Sequence, residues 1–104
     1  MSRIKIESEY NDLDKYEYYD GDIVYFKKDT DIIHNPYGPA LAGKDGHKEY
    51  LINDNLHRLD GPAIIWGDGV EQYYINDKLL TKEKFELHPE RLKYLGKEYL
   101  LCLK

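Results

Sequence analysis

The sequence predicts a mostly β protein: an antiparallel meander of hairpins in a single sheet, closed by a short C-terminal helical cap. Three observations carry that prediction. First, a 23-residue unit from His34 to Leu56 is written again without a gap as His57 to Leu79, and eleven of its 23 positions are identical, where unrelated residues would match at about one or two. Second, each unit holds an Asp-Gly pair, Asp45-Gly46 and Asp68-Gly69, which supplies the positive φ of a tight hairpin. Third, the second half of each unit alternates. Tyr50 and Ile52, with Tyr73 and Ile75, point one way, and Glu49 and Leu51, with Gln72 and Tyr74, point the other. The pair that is identical in both copies is read as the core face.

The first strand of each unit is expected at Ala40 to Ala42 and at Ala63 to Trp66, and the second at Lys48 to Ile52 and at Glu71 to Ile75. Pro39 and Pro62 lack a ladder donor and belong at strand starts. Asn53-Asp54 and Asn76-Asp77 end the second strands, where their side chains can satisfy nearby backbone groups. A unit of this kind buries its apolar face only against a neighbour, so successive copies lie side by side.

Before the repeats, Arg3 to Glu7 alternates Ile4 and Ile6 with charge and reads as a first strand. The acidic, tyrosine-rich stretch from Glu7 to Asp20 has no clean period. A loop with a helical turn and an irregular strand pair are both compatible with it. Asp20-Gly21 looks like a further hairpin turn and Ile23 to Lys27 like a strand, so residues 20 to 34 read as a degenerate half unit with two residues inserted and its Tyr and Ile-Asn positions lost. After Leu79, Thr81 is suited to cap a helix starting at Lys82. Pro89 should interrupt it near His88 and begin a second helix through Leu95, with Gly96 as the stop. Phe85, Leu92 and Leu95 would then cover the last strand. Residues 98 to 103 are a final strand or a helical continuation, with the strand favoured by Gly96. One domain results: residues 1–33 as an N-terminal part, 34–56 and 57–79 as the repeats, 80–104 as the cap.

The order Tyr-x-Ile-Asn-Asp-x-Leu-His, then Asp-Gly-Pro-Ala, then Asp-Gly resembles a divergent MORN repeat. The form His57-Arg58-Leu59-Asp60-Gly61-Pro62-Ala63 is similar to repeats of small phage, giant-virus and bacterial proteins. Asn-Asp stands here where MORN units carry Asn-Gly, and Gly-Pro replaces the second glycine. The resemblance covers under half the chain. It implies a row of β-hairpins used for binding or assembly, with no shared catalytic residues.

With 104 residues and 41% hydrophobic content, of which eleven residues are tyrosine, the core is modest and much of its surface carries hydroxyls that need partners. No apolar run spans a bilayer, and acids follow the first five residues where a signal peptide needs an apolar stretch. The single cysteine, Cys102, excludes an internal disulfide, and a cytoplasmic protein is expected. The net charge of −5 is concentrated in the first two thirds of the chain. That repels phosphates, so direct binding of nucleic acid or of a membrane is not expected. A protein with a basic surface is the expected partner.

No metal or other cofactor is expected. His34 and His57 recur at the hairpin corners, 23 residues apart, a spacing that matches no metal signature. They are read as hydrogen-bonded structural groups, and His47 and His88 as unrelated to them. No nucleophile elbow or phosphate loop is present. The chain is therefore read as a non-enzyme, with a small hydrolase using a histidine site as an alternative. The binding candidates are Tyr10, Asp12, Asp14, Tyr16, Glu17, Tyr18, Asp20 and Asp22, whose carboxylates and rigid rings suit an interaction surface; a solvated loop is the competing reading. A second set, Glu49, Gln72 and Tyr74, lies on a sheet face that the terminal helices would otherwise bury. Trp66 stands where the first copy has Gly43, so it is an anchor if exposed and core if covered. The leading expectation is a phage-type stoichiometric inhibitor that occupies a basic, nucleic-acid-binding groove of an enzyme such as a CRISPR effector. The structural alternative is assembly through sheet edges, with a homodimer as its simplest form.

Overall fold

The structure is a computed structural model that describes residues 2–97 and 100. Its strands are β1 (Arg3–Ile6), β2 (Leu13–Tyr18), β3 (Ile23–Lys27), β4 (Leu41–Ala42), β5 (Lys48–Glu49), β6 (Leu51–Ile52), β7 (Asn55–Leu56), β8 (Ile64–Ile65), β9 (Glu71–Ile75) and β10 (Lys78–Leu80). Two helices follow, α1 (Lys82–Glu86) and α2 (Pro89–Tyr94). Eight strands form one antiparallel sheet in the order β1-β2-β3-β4-β5-β8-β9-β10, as the meander requires, while β6 and β7 pair with each other. The departure from a single sheet has a local cause. Each repeat forks at its tyrosine: Lys48 and Glu49 stay in the ladder with β4 and β8, and Leu51 and Ile52 turn aside to meet β7. In the second copy β9 makes both sets of pairs without a break, to β8 through Glu71 and Gln72 and to β10 through Tyr73, Tyr74 and Ile75.

The 23-residue period is visible bond by bond. The Ala40 N–H donates to Glu49 O (2.8 Å) as that of Ala63 does to Gln72 O (2.9 Å), and the Asn35 N–H donates to Leu51 O (3.0 Å) as that of Arg58 does to Tyr74 O (3.2 Å). Asn53 and Asp54 have φ of 50° and 67°, and Asn76 and Asp77 have 51° and 68°, so both pairs form two-residue turns with left-handed central residues, where Asn and Asp are tolerated best. The Asp-Gly turns repeat three times, with Gly21, Gly46 and Gly69 at φ of 92°, 94° and 93°.

The unit that begins at the first of these turns, Asp20-Gly21, corrects the reading of the N-terminal part. The Tyr25 N–H donates to Ala40 O (2.8 Å) as that of Tyr50 does to Ala63 O (2.7 Å). The tyrosine of the degenerate unit is thus retained as Tyr25, and the two extra residues fall later, in the turn where Lys27 N–H meets Ile32 O. Likewise the acidic stretch divides in two: residues 7–12 form a loop with a turn, where the Leu13 N–H donates to Tyr10 O. Its second part is a regular strand, β2, held between β1 and β3.

The registers β3–β4, β4–β5, β5–β8 and β8–β9 line up Tyr25, Ala40, Tyr50, Ala63 and Tyr73 across the sheet. Ala40 and Ala63 are 0% exposed, because a methyl is what fits between neighbouring rings at strand spacing. Different groups cover each ring: Tyr10 packs at 5.7 Å from Tyr25, the Arg58 guanidinium lies 3.9 Å over Tyr50, and Phe85 sits 4.6 Å from Tyr73. The core-face assignment holds for Ile75, which is buried, and fails in the first copy, where Leu51 is buried and Ile52 only half-buried. Beyond the fork the β6–β7 ribbon is flanked by the Ile33–Asn35 segment, which encloses the opposite side chain.

The cap follows its sequence signals. Thr81 Oγ1 accepts from the Lys84 N–H (3.2 Å), Pro89 opens α2, Leu95 closes it, and Gly96 takes φ 71°. Phe85 and Leu92 are buried, and Leu95 is half-buried. The final strand expected over 98 to 103 falls, Leu100 apart, outside the described residues. No helix among those described is long and apolar enough to cross a membrane.

Replacing Ala63 with Leu forces volume between Tyr50 and Tyr73 and should destabilise the fold by about 1–3 kcal/mol. A lowered urea midpoint with an unchanged slope is the expected readout.

Candidate interaction face

Strand registers decide which predicted residues share a surface. Partners in an antiparallel pair point to the same face, and the registers from β1 to β9 place Lys5, Tyr16, Val24, Leu41, Glu49, Ile64 and Gln72 in one row. Two positions nearer the turns stand Arg3, Tyr18, Asp22, Gly43, His47 and Trp66. This face therefore brings together Tyr16, Tyr18, Asp22, Glu49, Trp66 and Gln72. It is opposite the Tyr-Ala row, so Phe85 and the cap lie on the other side. The competing reading of Glu49 and Gln72, burial under the terminal helices, does not hold.

Along this face the side chains are held in place by one another. The Arg3 guanidinium donates to Tyr18 Oη (3.2 Å) and Asp31 Oδ1 (3.1 Å) and lies 4.1 Å over the Tyr16 ring. Tyr16 in turn meets Phe26 edge-on at 5.5 Å. Further along, His47 Nε2 and Glu49 Oε2 are 2.6 Å apart, the His47 ring lies 4.8 Å from Trp66, and Trp66 Nε1 donates to Gln72 Oε1 (2.6 Å). Trp66 is 44% exposed and so is not a core residue. Neighbouring turns also pack: Lys44 lies across Gly21, and a Cβ on Gly67 would fall 2.8 Å from Asp45 Oδ2 and 2.9 Å from Asp45 O.

The remaining predicted residues lie elsewhere, so the acidic stretch is not one surface. Glu17 pairs with Ile4 and Ile23 and points to the opposite face, because side chains alternate along a strand. Asp14 is buried: its Oδ2 accepts from the Asp29 N–H (2.9 Å) and its Oδ1 pairs with Lys5 (3.3 Å). The Asp29 amide, aided by Lys5, holds its carboxyl below the usual range. Asp12 accepts from the Tyr37 hydroxyl (2.8 Å), and Tyr10 stacks on Tyr37 at 4.7 Å. Asp20 sits in the first turn, where its Oδ1 accepts from the Asp22 N–H (3.1 Å). Tyr74 is half-buried on the forked end of β9, opposite Leu79.

The chain matches no protein-family model, no curated protein and no solved structure.

The corner histidines have a defined local task. His34 Nδ1 accepts from the Asn53 N–H and His57 Nδ1 from the Asn76 N–H, each at 3.0 Å. At the same corners, Asp54 Oδ1 accepts from the Ile33 N–H (2.8 Å) and Asp77 Oδ1 from the Leu56 N–H (3.1 Å). Both residue types thus close the left-handed turns. Arg3 and His47 are parts of the face that sequence reasoning missed. For His47 the available signal was the i, i+2 spacing to Glu49; for Arg3 it was alternation with Ile4.

An imidazole that accepts at Nδ1 must be unprotonated there. Burial first, and the nearby Lys27 charge second, lower the His34 pKa from 6.5. A depressed histidine contributes stability that is full above its unfolded value, about 6.5, and is lost as pH falls through the folded one. Urea midpoints are therefore expected to fall between pH 7.5 and 5, and His34→Gln should flatten that limb. Loss from Asp14 and Glu9, both held low, belongs to more acid solutions.

Proposed function

We propose that the chain is a non-catalytic, stoichiometric protein-binding module built of MORN-like hairpins. Its docking face carries Tyr18, Asp22, Glu49 and Trp66, and its partner presents a basic surface. The single observation that supports this most is the half-exposed Trp66, oriented by Gln72 and His47, on the same face as the carboxylates of Asp22 and Glu49. Rigid aromatic anchors rimmed by charge are the composition of binding hot spots. Carboxylates facing guanidinium groups accelerate encounter in a salt-sensitive way and set the register. A basic groove that ordinarily holds phosphates offers that complement, so the module acts as an inhibitor that occupies a nucleic-acid-binding site, such as that of a defence nuclease.

In an affinity capture, the wild-type chain should retain a basic partner that the combined variant Asp22→Lys, Trp66→Ala loses. Glu17→Lys, on the opposite face, should keep it. Added duplex DNA should displace the partner. Retention by the face variant, or equal loss with Glu17→Lys, refutes the assignment.

One observation favours a second reading, assembly through a sheet edge. Strand β1 is the first of the sheet order, and Ile4 on it is 70% exposed, an arrangement open to strand addition. The Tyr19 N–H donates to Ser2 O, so by alternation the amide of Lys5 points outward. Under this reading sedimentation velocity shows a concentration-dependent dimer that Lys5→Pro abolishes.

A further inference from the structure

At the β1–β3 end of the face the surface sinks into a hollow of about 550 Å³. Its floor is apolar, formed by Val24, Phe26, Ile33 and Leu41, and its rim carries the carboxylates of Asp20, Asp22 and Asp31. One cation of the chain is already there. Arg3 pairs with Asp31 and rests 5.0 Å over the Phe26 ring as well as on Tyr16. Among the residues that line the hollow, one guanidinium against three carboxylates leaves two negative charges in excess, with Lys44 lying outside it across Gly21. The Asp31 side chain is 87% exposed, and the free oxygens of Asp20 and Asp22 are not used by Arg3.

We infer that this hollow receives an arginine side chain of the protein partner. The aliphatic stem would lie on the Val24 and Leu41 floor. The guanidinium would take the carboxylates of Asp20 and Asp22, beside the resident Arg3. The resident contact shows the chemistry in place: a planar cation over an aromatic ring with a carboxylate at its edge. Arginine fits better than lysine because its weakly hydrated, flat head tolerates a second guanidinium nearby and an apolar floor. Asp68 does not line this hollow. The inference rests on reading this face as the docking surface, and it names the residue type that the surface selects.

The test uses the full chain labelled with ¹⁵N and the probe acetyl-Gly-Arg-Gly-amide. Saturable shifts are expected at the amides of Gly21, Asp22 and Ile33, with none at Gly69. The citrulline analogue, equal in shape and uncharged, should leave them unmoved. Asp22→Asn should weaken binding by about threefold or more, and Asp68→Asn should not change it. Arg3→Ala, which frees Asp31, should strengthen binding by about threefold. Equal shifts at all three Asp-Gly turns, or citrulline binding as well as arginine, would overturn the proposal. Should arginine fail here while partner capture still depends on Trp66, the hollow alone is wrong. Should arginine bind while capture ignores Trp66, the docking face is wrong and the hollow stands.

Discussion

A row of rings and methyls holds this molecule together. Tyr25, Ala40, Tyr50, Ala63 and Tyr73 lie side by side across five strand segments, and both alanines are wholly buried. Strands lie about 4.8 Å apart, and each buried methyl leaves room for the rings on either side of it. Alternation solves the packing. It also explains why each unit needs a neighbour: Tyr25 and Tyr50 each lie against a methyl of the next unit, Ala40 and Ala63, while the last ring, Tyr73, has Ala63 of its own hairpin and is covered by the helix residue Phe85.

The turns set the geometry that the row requires. Left-handed backbone at Asn53-Asp54 and Asn76-Asp77 makes the far ends of the hairpins tight. Histidine side chains from the neighbouring segments accept from the asparagine amides of those turns, and the turns' own aspartates accept from amides of the neighbouring segments. At the other end, the Asp-Gly turns stack so closely that Gly67 has no room for a side chain beside Asp45. Regular spacing at both ends yields an elongated body, 51 × 30 × 19 Å, and long flat bodies present surfaces more readily than pockets.

One side of that body is taken up by the cap and the ring row. The other carries a line of polar and aromatic groups that steady one another, from Arg3 on Tyr16 to Trp66 on Gln72. Side chains fixed before contact lose little entropy on binding. In the proposed function, the carboxylates near them would add charge selectivity, and the hollow beside Arg3 would give that selectivity a definite shape.

The repeat, the turn types, the meander and both helix starts were legible in the sequence because each depends on local chemistry: φ at Asp-Gly and Asn-Asp, a threonine cap, a proline at a helix start. The fork at Tyr50 was not legible, since it arises from a choice of partner strand. Tyr25, the third tyrosine of the row, was within reach of the sequence, since it follows Asp20 at the spacing by which Tyr50 follows Asp45 and the two inserted residues come after it. Composition marked the acidic tyrosine stretch as a single surface, and alternation along β2 divided it, sending Glu17 one way and Asp14, Tyr16 and Tyr18 the other, with Asp14 buried beneath Lys5 and the Asp29 turn. The sequence by itself therefore determined which segments become hairpins. Only the tertiary structure decided which residues share a face, because that follows from register between strands distant in the chain.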